Sequence, residues 1–218
     1  MCRPKKHGGL GVLNLEIQNC ALLLKQLHKF FCKADVPWVK LVWSIYGDSP
    51  PHAQSSRGSF WWRDIFKLVN IYRSITKSEV HNGKLTLFWK DFWYGNELLC
   101  DRFPHLYSYV FNEDSSVAEL AANQHPGQLF ALPLSIEAFR EHEQIRLILA
   151  SVDHQTTTED THTFPWGNGH YTLARYYKFI FAQMPQNTTL QSIWNPNASP
   201  SLKCFYGYCY WIDSILKT

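Results

Sequence analysis

Cysteine and histidine side chains are the first residues of this chain that could do chemistry, by holding a metal ion. A structural zinc site needs four such ligands in paired clusters, such as Cys-x2-Cys with a second pair further on. Cys204 and Cys209 are five positions apart, so on a helix their side chains would diverge by about 140°. His154, His162 and His170 recur every eight residues without cysteine neighbours. We therefore predict no metal ligands.

Carboxylates and glycines supply the next candidates, for catalysis and phosphate binding. Two-metal polymerase or nuclease chemistry requires converging carboxylates, but the nearest stretch, Lys-Ala-Asp-Val at 33–36, lacks the second aspartate of a polymerase motif. Glu-His-Glu at 141–143 does not match His-Glu-x-x-His, and Gly-Gly-Leu-Gly at 8–11 lacks the Lys-Ser/Thr of a phosphate-binding loop. We predict that the chain is not an enzyme and binds no cofactor.

Nucleic-acid contact is the remaining candidate chemistry. Lys5, Lys6, Arg63 and Lys67 could contact phosphates through charge alone, so these four residues are weak predicted contacts. The formal net charge of +3 is too small to demonstrate such binding. Nine Trp, eleven Tyr and fourteen Phe could stack on unpaired bases. Because most of the tryptophans stand beside other apolar residues, core packing is the favoured interpretation.

Composition limits the class of protein. A length of 218 residues with 45% hydrophobic residues suffices for one domain or two small ones. Six irregularly spaced cysteines without a secretory segment ahead of them favour a reducing compartment. The longest apolar runs fall far short of the roughly 20 residues that span a membrane. We expect a soluble chain without a membrane partner.

The elements that must position these residues follow from apolar spacing and capping residues. Helices are predicted at 15–33 with Asn14 as N-cap, from about Pro37 to Tyr46, after Ser59 through Val69, at 135–152, and at 171–183. In the helix at 135–152 we expect Ile136, Phe139, Ile145, Ile148 and Leu149 on the apolar side, with a solvated charged side.

A β-hairpin is predicted in the middle of the chain. Asn82-Gly83 lies between Ile75–Val80 and Lys84–Trp89, and this dipeptide favours a type I′ turn. The expected fold class is mainly α with a small β-hairpin (α+β), in which helical segments are joined by long loops and the C-terminal domain is incomplete.

Three blocks of the sequence resemble reverse-transcriptase-like proteins of plant non-LTR (LINE-type) retroelements. The first block contains Pro4-Lys5, Gly8-Gly9-Leu10-Gly11, Asn14-Leu15, Asn19, Ala21-Leu22-Leu23, Lys25, Trp38 and Tyr46. The second contains Phe60-Trp61, Asn82-Gly83, Phe88-Trp89, Asp91, Trp93, Gly95, Leu98, Phe103-Pro104 and Leu106. The third contains Asp160, Trp166, Gly169, Tyr171-Thr172, Tyr177, Ile193-Trp194, Pro200, Lys203, Phe205 and Leu216.

The resemblance implies an origin and a domain organisation. The expected domains are 1–47, a helical segment like the region after the polymerase thumb; 48–58, a linker; 59–152, an aromatic-rich hairpin with helices; 153–163, a linker; and 164–218, the truncated front half of a reverse transcriptase zinc-binding domain. That family's zinc ligands are expected beyond Thr218 and its polymerase residues before Met1. RNA or DNA partners, and a nuclear location, are implied only through the parent protein.

The expected function is therefore that of a non-catalytic C-terminal fragment with a structural or nucleic-acid-contacting role. Two alternatives stay open. A stand-alone single-stranded nucleic-acid-binding module would bind with an affinity that falls steeply with salt. A protein-interaction scaffold would present exposed aromatic residues to a protein partner, with little salt dependence.

Overall fold

The computed structural model describes residues 4–5, 11–46, 59–123, 125–152, 157–167, 170–182, 199, 201 and 204–205. The helices are α1 Leu15–Phe31, α2 Pro37–Tyr46, α3 Phe60–Phe66, α4 Val69–Ser74, α5 Leu99–Arg102, α6 Pro104–Tyr107, α7 Val117–Ala122, α8 Pro126–Leu129, α9 Ile136–Ala150 and α10 Leu173–Ala182. The strands are β1 Lys77–Glu79 and β2 Thr161–Thr163. The mainly helical class with a small antiparallel sheet is thus confirmed.

Polar caps fix the starts of the predicted helices. Asn14 Oδ1 accepts the backbone N–H groups of Glu16 (3.0 Å) and Ile17 (3.1 Å) at the start of α1. Ser135 Oγ accepts the Ala138 N–H (3.1 Å) at the start of α9. Each cap satisfies backbone donors that a helix leaves without an internal partner, so both sequence predictions of an N-terminus are confirmed.

The chain divides into two compact units, of which the first comprises residues 1–23 and 171–218. Within it, Tyr171 Oη donates to the Ala21 carbonyl at 3.1 Å, and Tyr177 Oη accepts the Asn14 N–H at 3.1 Å. Burial raises the pKa of the Tyr171 phenol, with smaller contributions from Tyr176 and Cys20. Tyr171, just before α10, therefore binds a backbone group in the first half of α1, and Tyr177 of α10 binds one at the N-cap of α1.

The second unit, residues 24–170, contains an aromatic core. Phe30 lies at its centre, with ring centroids 4.9 Å from Trp62 and 5.9 Å from Phe66. A neighbouring buried cluster consists of Phe88, Trp89, Trp93, Leu99, Phe103, Leu106, Val117, Leu120, Phe130, Ala138, Ile145 and Ile148. Large rings and branched side chains supply most of the apolar burial in such cores.

The predicted hairpin pairing is wrong, although β1 falls within its first strand. β1 pairs antiparallel with β2, which places Lys77 opposite Thr163 and Glu79 opposite Thr161. Gly83 has a φ of +66°, as a tight turn requires, but Asn82 does not share a positive φ, so the turn is not type I′.

Helix α9 also departs from prediction in the face that it buries. Ala138, Ile145 and Ile148 are buried, whereas Ile136 and Phe139 are 69% and 56% exposed. The helix is therefore buried through Ala138 in its first turn and through its C-terminal half, while Ile136 and Phe139 lie at the surface.

The predicted linker at 48–58 lies outside the described residues, as do positions 153–156 of the second. The remainder of that second segment, 157–163, contains β2. Among the described residues, no helix has the length and apolar character to cross a membrane.

Candidate functional site

Helix α3 carries two of the four predicted nucleic-acid contacts. Ser59 Oγ accepts the Trp62 N–H at 3.3 Å, which caps the helix as predicted. Trp62, Ile65 and Phe66 are buried and fix the rotation of the helix about its axis. The opposite side, which these residues leave in solvent, is the candidate site.

Arg63 and Lys67 lie one turn apart on this exposed side. The Lys67 N–H donates to the Arg63 carbonyl at 3.2 Å, and Lys67 Nζ lies 2.7 Å from Asp64 Oδ1. With one carboxylate and two cations, the surface keeps a formal charge of +1. An exposed ion pair contributes about 0–1 kcal/mol, so Lys67 can exchange Asp64 for another anion at little cost.

Aromatic rings flank the two cations. Phe60 is three residues before Arg63 and seven before Lys67, which places it on the same side of the helix, and it is 75% exposed. Trp61 is 41% exposed, and its ring lies edge-on to Trp38 with centroids 5.9 Å apart. We call the exposed surface formed by Phe60, Arg63 and Lys67 the α3 face.

The other two predicted contacts are Lys5 and Lys6. Lys5 is exposed and belongs to the first unit, whereas Lys6 lies outside the described residues. A Cβ on Gly11, whose φ is +75°, would lie 3.1 Å from Lys5 Cγ. The glycine thus allows the aliphatic part of the Lys5 side chain to pack closely against the backbone.

Of the seven tryptophans that the structure describes, three are buried, three are half-buried and one, Trp61, is exposed. Trp62, Trp89 and Trp93 are buried, and Trp93 Nε1 donates to the Phe88 carbonyl at 2.8 Å. Trp194 and Trp211 lie outside the described residues. Trp61 is the tryptophan among these that offers an exposed ring.

Two buried aspartates, which sequence reasoning did not single out as functional, organise residues 81–93, here called the clamped loop. Asp160 Oδ1 accepts the N–H groups of His81 (2.8 Å) and Gly83 (2.9 Å). Asp160 Oδ2 accepts the N–H groups of Leu85 (3.3 Å) and Thr86 (3.2 Å), and the Thr86 hydroxyl (2.9 Å). Five donors on one carboxylate explain why residues 84–86 are not a strand.

Asp91 stabilises the other end of the clamped loop. Asp91 Oδ2 accepts the Leu87 N–H at 2.7 Å and forms a buried ion pair with Arg73 Nη1. The Arg73 guanidinium also lies over the Phe31 ring, 5.4 Å from its centroid. Both aspartates therefore bind groups of their own unit, and neither is exposed to a substrate.

Two half-buried histidines lie in the same unit. His162 Nδ1 lies 3.2 Å from Ser78 Oγ, and His28 Nδ1 lies 2.9 Å from Tyr72 Oη. Burial lowers the pKa of His162 to about 4, with Asp91 opposing this shift and Arg73 adding to it. Burial also lowers the pKa of His28 to about 4, assisted by His162 and His170. Both imidazoles are neutral at pH 7.

A thiol near His28 has the wrong protonation state for a nucleophile. Cys32 Sγ lies 3.5 Å from His28 Nδ1. Although Cys32 is exposed as a residue, burial around its sulfur raises the pKa of the thiol to about 11. Because the thiolate is the reactive form, this pair does not provide an activated cysteine at neutral pH.

No group of three or more His, Cys, Asp or Glu side chains that could hold a metal ion occurs among the described residues. Asp35, in the stretch that most resembles a polymerase motif, is exposed and pairs with Lys40. Glu141, in the Glu-His-Glu stretch, accepts the Leu106 N–H at 2.7 Å. These acids have structural or surface partners instead of a common centre.

Fold and site together define a mainly α-helical protein with a small antiparallel sheet and an exposed basic and aromatic helix face. No protein-family model, curated protein or solved structure matches the chain.

Proposed function

We propose that this chain is a non-catalytic C-terminal segment of a plant LINE-type reverse-transcriptase-like protein, where it is a scaffold that contacts single-stranded RNA or DNA. The observation that carries the scaffold role is the clamped loop. Its two aspartates, which belong to the resembling blocks, are buried and bind backbone and arginine donors. Carboxylates used in this way stabilise a fold and are not available to metal ions.

The resembling blocks also meet in space, which supports a scaffold. Phe88, Trp89 and Trp93 of the second block pack in one buried cluster with Phe103 and Leu106 of the same block. Asp160, from the third block, reaches back to the clamped loop across more than 70 residues of sequence. Residues that are far apart in the sequence thus maintain one core, as expected of a conformational role.

The α3 face supports the nucleic-acid part of the proposal. Arg63 and Lys67 would bind successive phosphates, and the exposed Phe60 ring would stack on an unpaired base, an interaction worth about 1–3 kcal/mol. Lys5 and Lys6 are proposed as additional phosphate contacts. An unpaired strand suits this surface because its bases are open to stacking.

The test is the binding of labelled single-stranded RNA and DNA to the full chain, measured by fluorescence anisotropy at low salt. Charge reversal of Arg63 and Lys67 (R63E/K67E) is expected to weaken binding by about ten-fold or more. The matched control reverses Lys84 and Arg140, two exposed cations outside the α3 face (K84E/R140E). Each double reversal subtracts four charges, from +3 to −1.

The control should bind much more tightly than R63E/K67E, because only the latter alters the α3 face. Equal losses in both variants would show that net charge alone attracts the strand, and would contradict a specific face. No binding by the wild type would remove the nucleic-acid role and leave the protein-interaction scaffold as the better account.

A further inference from the structure

A cleft between α7, α8 and α9 has no part in the proposed function. Its volume is about 620 Å³, within the roughly 300–1,000 Å³ typical of small-molecule pockets. Three buried side chains, Leu120, Phe130 and Ile145, form its floor, and the half-buried Leu129 and Leu149 extend its apolar wall. The interior of the cleft therefore favours an apolar ligand.

Polar groups lie around this apolar interior. Asn123, His142 and Arg146 contribute to the lining. The Arg146 side chain is 65% exposed, and Nη1 donates to Glu143 Oε1 at 3.0 Å. A guanidinium has five N–H donors, so this one contact leaves Arg146 able to bind a second carboxylate. Such exposed ion pairs are weak, and Glu143 would compete little.

His142 also lines the cleft, beside the buried Phe130. Its ring lies edge-on to Phe130, with centroids 5.7 Å apart. Burial lowers its pKa, an effect that Glu143 opposes and Arg146 reinforces. The imidazole is therefore neutral at pH 7, and Arg146 is the cation that a ligand would meet at the cleft.

We propose that this cleft binds a small amphiphilic carboxylate, with its apolar chain against Leu120, Phe130 and Ile145 and its carboxylate on Arg146. A cleft of this volume suits a small molecule more than a folded partner. Charge complementarity at Arg146 selects an anion over a cation or a neutral ligand. This site is independent of the α3 face.

The experiment is calorimetric titration of the full chain with octanoate, below its micelle concentration, and with octanol as the neutral analogue. Octanoate is expected to bind at one site, about three-fold more tightly than octanol, because an exposed charge pair contributes modestly. Filling the cleft by Ala121→Trp should abolish binding of both. Arg146→Gln should remove the preference for octanoate and keep octanol binding.

Arg140→Gln, an exposed arginine of the same helix outside the cleft, is the matched control and should bind both ligands like the wild type. Circular dichroism checks whether each variant is folded. If Ala121→Trp does not fold, Arg146→Gln still tests the site. Absence of octanoate binding, an unchanged affinity in folded Ala121→Trp, or an undiminished preference in Arg146→Gln would each overturn the proposal.

Discussion

The clamped loop and the α3 face belong to the same unit, yet their charged groups have opposite environments. In the clamped loop, Asp91 and Asp160 are each 3% exposed and accept hydrogen bonds from donors of their own unit. On the α3 face, Arg63 and Lys67 are exposed, and Lys67 has a surface partner in Asp64. Charged side chains therefore stabilise the fold in the clamped loop and form an accessible surface on the α3 face.

This difference indicates which charged residues stabilise the fold and which are available to bind a partner. A buried charge is tolerated only if hydrogen bonds and an opposite charge compensate its lost hydration. Removing either partner then lowers the free energy of unfolding strongly, so such residues are needed to maintain the fold. Exposed charges contribute little to stability, which leaves them available for a partner. We expect substitutions in the clamped loop to lower the free energy of unfolding strongly, and substitutions on the α3 face to change it little.

The largest effect is expected from breaking the buried ion pair. Arg73→Met should lower the free energy of unfolding by about 3–5 kcal/mol, because Asp91 would stay buried without its cation. Lys67→Met, which breaks the exposed pair with Asp64, should cost less than about 1 kcal/mol. Urea denaturation of both variants measures the contrast, and similar losses would refute it.

The next effect concerns Asp160. Asp160→Asn should cost about 3 kcal/mol, since an amide NH2 group would face the backbone donors that the carboxylate now accepts. Asp35→Asn, at an exposed carboxylate paired with Lys40, is the control and should change stability little. If chemical denaturation gave the same midpoint for Asp160→Asn and the wild type, the clamp would not stabilise the loop.

The two half-buried histidines predict a pH dependence. His28 and His162 have folded-state pKa values of about 4 against 6.5 when unfolded, so the unfolded chain binds protons first as the pH falls. Their contribution to stability is complete above about pH 7 and declines towards pH 4, by about 3 kcal/mol for each histidine and about 6 kcal/mol for both.

His162→Gln should flatten that decline by about half, because one of the two groups no longer titrates. His105→Gln, at an exposed histidine, should leave the slope unchanged. Urea unfolding at a series of pH values gives both slopes. A steeper decline of stability with falling pH in His162→Gln would contradict a pKa of His162 that is lowered by burial.

A smaller effect separates two glycines of positive φ. A Cβ on Gly83 (φ +66°) would lie 3.0 Å from the Ala118 nitrogen, whereas one on Gly95 (φ +73°) would have Arg102 Nη1 4.0 Å away as its neighbour. Gly83→Ala should therefore cost about 2 kcal/mol and Gly95→Ala about 1 kcal/mol. Thermal unfolding compares them, and equal losses would indicate that α7 yields to the added methyl group.

Local patterns were sufficient to predict five of the ten helices among the described residues. Apolar spacing together with Asn14, Ser59 and Ser135 placed the starts of α1, α3 and α9 because caps and periodicity act within a few residues. The position of Arg63 and Lys67 on one side of α3 follows from the same periodicity.

Long-range partners could not be predicted in this way. The pairing of β1 with β2 joins residues more than 80 positions apart, and Asn82-Gly83 suggested a nearer partner. Asp160 follows another acid, Glu159, in a stretch rich in Thr, Asp and His, and nothing local distinguishes it from a solvated carboxylate. The exposure of Phe60 likewise depends on which side of α3 the core covers.

The most direct test of this separation is the salt dependence of single-stranded RNA binding by the wild type and by R63E/K67E. Each phosphate contact on a single strand contributes about −0.7 to the slope of log affinity against log salt concentration. We predict a slope shallower by about 1.4 in the double variant, with an unchanged unfolding midpoint. An unchanged slope would contradict the assignment of the α3 face as the nucleic-acid contact.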